Sequence, residues 1–162
     1  MSRLNILLVD DDRNLVTTLS YGLHKALGEA SSVALCLNSS EALSTLAIQE
    51  FDVVVSDFNM PGMSGLEFLN RIRQDHPEMI LVLITAYGTD ALEEGVRQLG
   101  GGYIHKPFEP SFLVQLIKSL IEGKEARGRT EHVSRVMDEL GKPAGSSQNI
   151  HLEKIDTKSP PG

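Results

Sequence analysis

The sequence has no tryptophan, a single cysteine and only 5% aromatic residues over a length of 162. One cysteine excludes an intrachain disulfide and fits a reducing compartment. That residue, Cys36, lies in the apolar stretch VALCL at 33–37, so a buried inert thiol is expected rather than a nucleophile. Basic residues are also short, 15 Lys and Arg against 22 Asp and Glu, which leaves a formal charge of −7. Nonspecific nucleic-acid binding relies on phosphate neutralisation and is disfavoured by this balance. No helix-turn-helix of convincing length is visible, so direct nucleic-acid binding is not expected. Long hydrophobic runs are missing too. The opening MSRLNILLVDDD is too briefly apolar for a signal peptide or a membrane span. The expectation is a cytoplasmic chain with no membrane partner.

What the sequence does contain is alternation. Hydrophobic residues make up 41%, enough for a core. Short runs rich in Val, Ile and Leu occur at 5–9, 32–37, 52–56, 80–84 and 102–105. Several are apolar on both faces, as strands covered on two sides by helices must be. Between them lie helical patterns. Leu15, Leu19, Leu23 and Leu27 repeat every fourth residue across 13–27. Ala42, Leu43, Leu46 and Ala47 mark a second helix, Leu66, Leu69 and Ile72 a third, and Ala91, Leu92, Val96 and Leu99 a fourth that stops at Gly100. Pro110 suits the first turn of a fifth. Five strands alternating with five helices predict a three-layer α/β fold with a mostly parallel sheet.

The fifth helix carries Phe112, Leu113, Val114, Leu116, Ile117, Leu120 and Ile121, more than one narrow stripe. A broad core face and an edge that meets a partner are both open readings. Residues 1–123 read as one domain. Residues 124–162 lack aromatic residues and read as an extension, with a short helix at about 130–140 followed by a flexible tail.

Ligands of an open parallel sheet bind beyond the carboxyl ends of its strands. After the first strand come Asp10, Asp11 and Asp12; the third ends at Asp57 in SDFNMPGMSG; Thr85 follows the fourth, and Lys106 follows the fifth. Adjacent carboxylates each raise the cost of ionising the next. A hard divalent cation, Mg²⁺ by its preference for oxygen donors and water, offsets that repulsion among Asp10, Asp11 and Asp57. A carboxylate beside such a cation can attack phosphorus and form an acyl phosphate. Lys106 can then pair with one phosphoryl oxygen and Thr85 can hydrogen-bond another.

The set LLVDDD, SDFNMPGMSG, LITAYG and GGYIHKPF resembles the response-regulator receiver domain of two-component signalling over about residues 5–123. The resemblance implies a flavodoxin-like fold with strand order 2-1-3-4-5 and a protein that catalyses only its own phosphorylation and dephosphorylation. It makes Asp57 the phosphoacceptor, Asp11 a direct Mg²⁺ ligand, Asp10 an assisting one, and Asn59 a ligand through its backbone carbonyl. Thr85 and Tyr103 become a switch pair, with Tyr103 swinging inward once Thr85 moves, and Lys106 the phosphate sensor ahead of a cis bond to Pro107. The implied partners are a sensor histidine kinase or histidine phosphotransfer protein, and a downstream protein or second copy on the face formed by the fourth helix, fifth strand and fifth helix. Asp12 falls outside the acidic pair and is read as a helix N-cap or loop residue. Ser64 stands where the family often has Asp, and Gly101 and Gly102 where it often has Ala and Asp. Tyr87 is expected to slow attack of water on the acyl phosphate.

Two other classes share parts of this pattern. DFN superficially resembles an Asp-x-Asp phosphohydrolase site, but the second acid is Asn59 and no cap-like insertion follows. A phosphorylation-independent interaction module would have no need of the acidic pair, acceptor, threonine and lysine together. GGGYIHK lacks the spacing of a phosphate loop, GMSGLE is not a nucleophile elbow, and the five histidines show no metal-ligand spacing.

Overall fold

In a computed structural model, residues 3–125 are described. Strands β1 (Leu4–Val9), β2 (Ser31–Cys36), β3 (Val53–Asp57), β4 (Ile80–Thr85) and β5 (Gly102–His105) alternate with helices α1 (Arg13–Leu27), α2 (Ser39–Leu46), α3 (Gly65–Asp75), α4 (Asp90–Gln98) and α5 (Pro110–Glu125). All strand pairs are parallel, in the order β2-β1-β3-β4-β5. This is the expected flavodoxin-like order. Every residue of β3 is buried, and β4 is buried from its second residue on, as unbroken apolar runs require.

The predicted ranges differ by one residue at strand ends for the first four strands, and the fifth matches. β3 begins at Val53, and Asp52 just ahead of it is tied to β1: its carboxylate accepts the Asn5 N–H at 2.7 Å, and its own N–H donates to the Asn5 carbonyl at 2.8 Å. The extension at 124–162, with its helix at about 130–140, falls outside the described residues except for the last turn of α5, which runs to Glu125. The broad apolar face of α5 is core. Leu113, Val114, Leu116, Ile117 and Leu120 are buried, while Phe112 and Ile121 are half-buried. The apolar excess therefore does not by itself mark a contact edge.

Three local choices shape the edge that carries the acids. Asp12 caps α1, its carboxylate accepting the N–H groups of Asn14 and Leu15. Ser64 caps α3 in a reciprocal arrangement with Glu67, whose side chain accepts the Ser64 N–H at 2.9 Å. Serine thus serves where the family often has aspartate. Ser64→Ala is expected to cost about 1 kcal/mol, measured as a lower midpoint of urea unfolding with unchanged slope. The glycine run before β5 has a packing reason as well as a turn reason. Gly100 ends α4 with φ +67°, and a Cβ on Gly102 would press to 2.9 Å against Leu116 and Leu120 of α5.

Candidate functional site

The carboxyl ends of β1, β3 and β5 bring Asp10, Asp57 and Lys106 together. The Lys106 ammonium lies 2.7 Å from Asp57 Oδ1 and 3.0 Å from Asp10 Oδ2, bridging two nearly buried carboxylates. Asp10, Asp11 and Asp57 can each turn one oxygen into a group within 4.8 Å of one another, with Asp11 the exposed member. Three carboxylates then face one ammonium. Burial pushes the Asp10 carboxyl above its ordinary range, and the Asp57 charge pushes the same way; the Asp12 N–H and Lys106 oppose both. Burial alone would lower the Lys106 pKa, but hydrogen bonds to Asp57 and Asp10 hold it above the usual value. The donor set is all oxygen and carries excess negative charge, which fits a hard divalent cation such as Mg²⁺.

The backbone fixes these groups closely. Gly65 opens α3 directly above the end of β3, where a Cβ would lie 2.1 Å from the Asp57 carbonyl oxygen. Only glycine permits that approach, and the Gly65 N–H donates to the Phe58 carbonyl at 2.9 Å. The Ser56 hydroxyl also donates to the Asp57 carbonyl, at 2.9 Å. On the other flank, the Lys106 N–H donates to the Thr85 carbonyl at 2.8 Å, and the Lys106–Pro107 peptide is cis. Nothing in the sequence pattern singled out Gly65; a glycine opening a helix right after a loop was its only signal.

Thr85 is fully buried at the end of β4, one residue beyond the register partner of Asp57, and its Oγ1 accepts the Tyr87 N–H at 3.1 Å. Asn59 is exposed, two residues past β3. Tyr87 is 77% exposed, so its ring stands largely in solvent. Tyr103 lies inside, 2% exposed, in van der Waals reach of His105. The physical reason is room. Gly88 has no side chain, and the ring fills the space a Cβ would take. Burial, followed by the Glu93 charge, pushes the Tyr103 phenol up to about 12.

The doubly wound parallel sheet thus carries acids, a buried threonine and a lysine on one carboxyl edge. The family model of the response regulator receiver domain matches residues 6–118. Response regulator protein FleR of Pseudomonas aeruginosa is 44% identical over 155 residues, covering 91% of this chain and 32% of FleR. The DNA-binding transcriptional regulator NtrC of Escherichia coli K12 is 32% identical over 135 residues, 82% of this chain and 28% of NtrC. A CheY-like receiver domain structure from Methanospirillum hungatei superposes with a TM-score of 0.70 at 26% identity, covering 78% of this chain and all of that one.

The chain belongs to the response regulator receiver domain family and is a phosphoacceptor module of two-component signalling. It spans about a third of the length of FleR and of NtrC. Among the described residues, no helix is long and apolar enough to cross a membrane.

Proposed function

We propose that Asp57 accepts a phosphoryl group from a phosphohistidine on a sensor kinase or phosphotransfer protein. The carrying observation is the Lys106 ammonium bridging Asp57 and Asp10 at the carboxyl edge of the sheet. A carboxylate oxygen of Asp57 attacks phosphorus, a P–O bond forms, the P–N bond breaks with its electron pair going to nitrogen, and the imidazole leaves neutral because its other ring nitrogen carries a proton. Asp10, Asp11, Asp57 and the Asn59 carbonyl would hold Mg²⁺, which when bound neutralises charge on the transferring group. Lys106 exchanges one carboxylate for a phosphoryl oxygen, and the Thr85 hydroxyl turns from the Tyr87 N–H to another. The family match gives the phosphohydrolase reading no support.

Receiver domains partner with histidine kinases. In this chain the output passes, on our reading, through α4, β5 and α5 to a downstream protein or a second copy, in the cytoplasm. NtrC is named as DNA-binding, and in a longer regulator that activity would belong to the part beyond the segment matched here. Treating the protein with acetyl phosphate and Mg²⁺, then locating the added mass by peptide mass spectrometry, tests the assignment. Stoichiometric label on the peptide containing Asp57 is expected; label confined to other peptides would defeat it.

Tyr87 offers a further check. Its backbone N–H is tied to Thr85, and from an exposed position its ring can close over a phosphoryl group at the mouth of the site. Tyr87→Ala is expected to shorten the lifetime of the labelled state by roughly three-fold to ten-fold, read as loss of radiolabel after removal of donor.

A further inference from the structure

The amino edge of the sheet, opposite the acids, holds a groove of about 410 Å³. The segments ahead of β3 and β4 and the last turn of α5 form it. Its floor is apolar: Leu46, Phe51 and Met79 line it and are 9%, 8% and 7% exposed. Its rim is acidic. Glu50, Asp52, Asp75 and Glu78 line it and are exposed, against one ammonium, Lys124, and the half-buried His76. Asp52 is occupied by the Asn5 N–H. The carboxylates of Glu50 and Asp75 make no ion pair or hydrogen bond among the described residues. Glu78 meets Lys124 but keeps 82% of its side chain exposed, so its carboxylate can take a second cation. Arg73 does not cover these acids, because its guanidinium donates to the Leu99 and His76 carbonyls.

Lys124 also fixes where the chain leaves the domain. Its Nζ donates to the Glu78 carbonyl at 2.6 Å and pairs with the Glu78 carboxylate at 3.5 Å, pinning the last turn of α5 to the groove. The sequence after Glu125 continues ARGRTEHVSRV, residues 126–136. It holds Arg127, Arg129 and Arg135 against one acid, Glu131, in a chain whose formal charge is −7. Val133 and Val136 supply apolar side chains for the floor. Arg127 stands three residues beyond Lys124, at most about 11 Å of extended chain. A tether that short gives a local concentration of roughly millimolar order, enough to populate pairings that would be weak between separate molecules.

We propose that residues 126–136 of this chain dock along the amino-edge groove, with Arg127 and Arg129 on the carboxylates of Glu50, Asp75 and Glu78. Three observations carry the assignment: the opposite signs of rim and segment, the uncovered carboxylates, and the exit of the chain beside Lys124. Docking holds the start of the extension at the end of the domain remote from Asp57. It thereby sets the direction in which anything attached beyond it departs. The proposal stands whether or not Asp57 takes a phosphoryl group.

Paramagnetic NMR of the full chain tests this. A nitroxide is attached at Thr130→Cys; Cys36, 2% exposed, stays unlabelled, which the chain without Thr130→Cys verifies. Broadening of the Gln49 and Phe51 amides is expected. A segment that is merely tethered would also broaden them, but to a degree indifferent to charge. Glu50→Lys/Asp75→Lys changes two exposed positions and leaves the core intact. In that variant, and separately in Arg127→Gln/Arg129→Gln, the paramagnetic rates at Gln49 and Phe51 are expected to fall at least about three-fold. Rates that hold in either variant overturn the proposal. Isotope-labelled chain without nitroxide, mixed with nitroxide-bearing chain of natural isotopes, is expected to show no broadening at these amides. Broadening in the mixture equal to that in the single chain would seat the segment of a second copy in the groove and overturn the proposal as well. Absence of label at Asp57 would instead defeat the phosphoacceptor reading and leave the paramagnetic result standing.

Discussion

Asp57→Asn is expected to reduce incorporation of label from a small phosphodonor by at least about a hundred-fold, to background. The argument is chemical before it is structural. An amide has the shape of the carboxylate but no anionic oxygen to form the bond to phosphorus. Its surroundings are otherwise kept: Gly65 still packs on the residue 57 carbonyl, and Lys106 still pairs with Asp10 at 3.0 Å. Loss of fold is therefore not an available explanation for loss of label, and far-ultraviolet circular dichroism of the variant should match the parent. Retained label would mean that Asp10 or Asp11, which reach the same small volume, accepts the group instead. The measurement is radiolabel per mole of chain, at fixed donor and Mg²⁺.

Lys106→Met carries the second large effect, and it appears in the protein before any phosphoryl group is present. The side chain keeps its length and apolar stem but loses the ammonium. Asp10 and Asp57, both nearly buried, then face one another with Asp11 at hand and no cation from the protein. Leaving a buried charge uncompensated costs about 3–5 kcal/mol. The expected result in EDTA is a fall in melting temperature of roughly ten degrees or more. Mg²⁺ is then expected to raise the melting temperature more in Lys106→Met than in the parent, because the divalent ion takes over a compensation that Lys106 otherwise supplies. Equal stabilisation of both proteins by Mg²⁺ would show that the ammonium and the cation site are independent, contrary to the geometry. The same variant should label more slowly, since one oxygen of the transferred group loses its cationic partner.

The two substitutions act on opposite sides of one balance. The carboxyl edge gathers three negative charges, a poor arrangement in a low-dielectric setting unless something positive joins it. Lys106 is the protein's own answer, and it arrives from β5, nearly a hundred residues away in sequence. Its two short contacts and the upward push of burial on Asp10 show how costly negative charge is at this edge. That condition favours uptake of a cation and makes the cluster responsive to the arrival of a phosphoryl group.

Much of this was legible in the sequence. The range 13–27 for the first helix follows from leucines four residues apart, and α1 occupies Arg13–Leu27. The gathering of Asp10, Asp11, Asp57, Thr85 and Lys106 at one edge follows from alternation together with the rule that ligands bind at strand carboxyl ends, and the strand order followed from the family resemblance. Asp12 as a cap was visible because an aspartate just ahead of a helical pattern has an obvious partner in the first free N–H groups. The readings that failed or stayed open share a different character. The apolar breadth of α5 fitted both a core face and a contact edge, and periodicity could not choose because it records which residues are apolar, not what covers them. The inward place of Tyr103 was not legible, because the space that receives its hydroxyl lies beside Gly88, fifteen residues earlier, on another element.

The sequence by itself determined the elements, their order and the kinds of chemical group at the carboxyl edge, because periodicity and residue type are local properties. Tertiary structure alone decided that one ammonium bridges two acids, that α3 begins within reach of the Asp57 carbonyl only because Gly65 has no side chain, and that Tyr103 lies inward. Each of these depends on the separation of atoms from distant parts of the chain, and a few tenths of an ångström there decide between a contact and a clash, a scale that no local pattern of residues records.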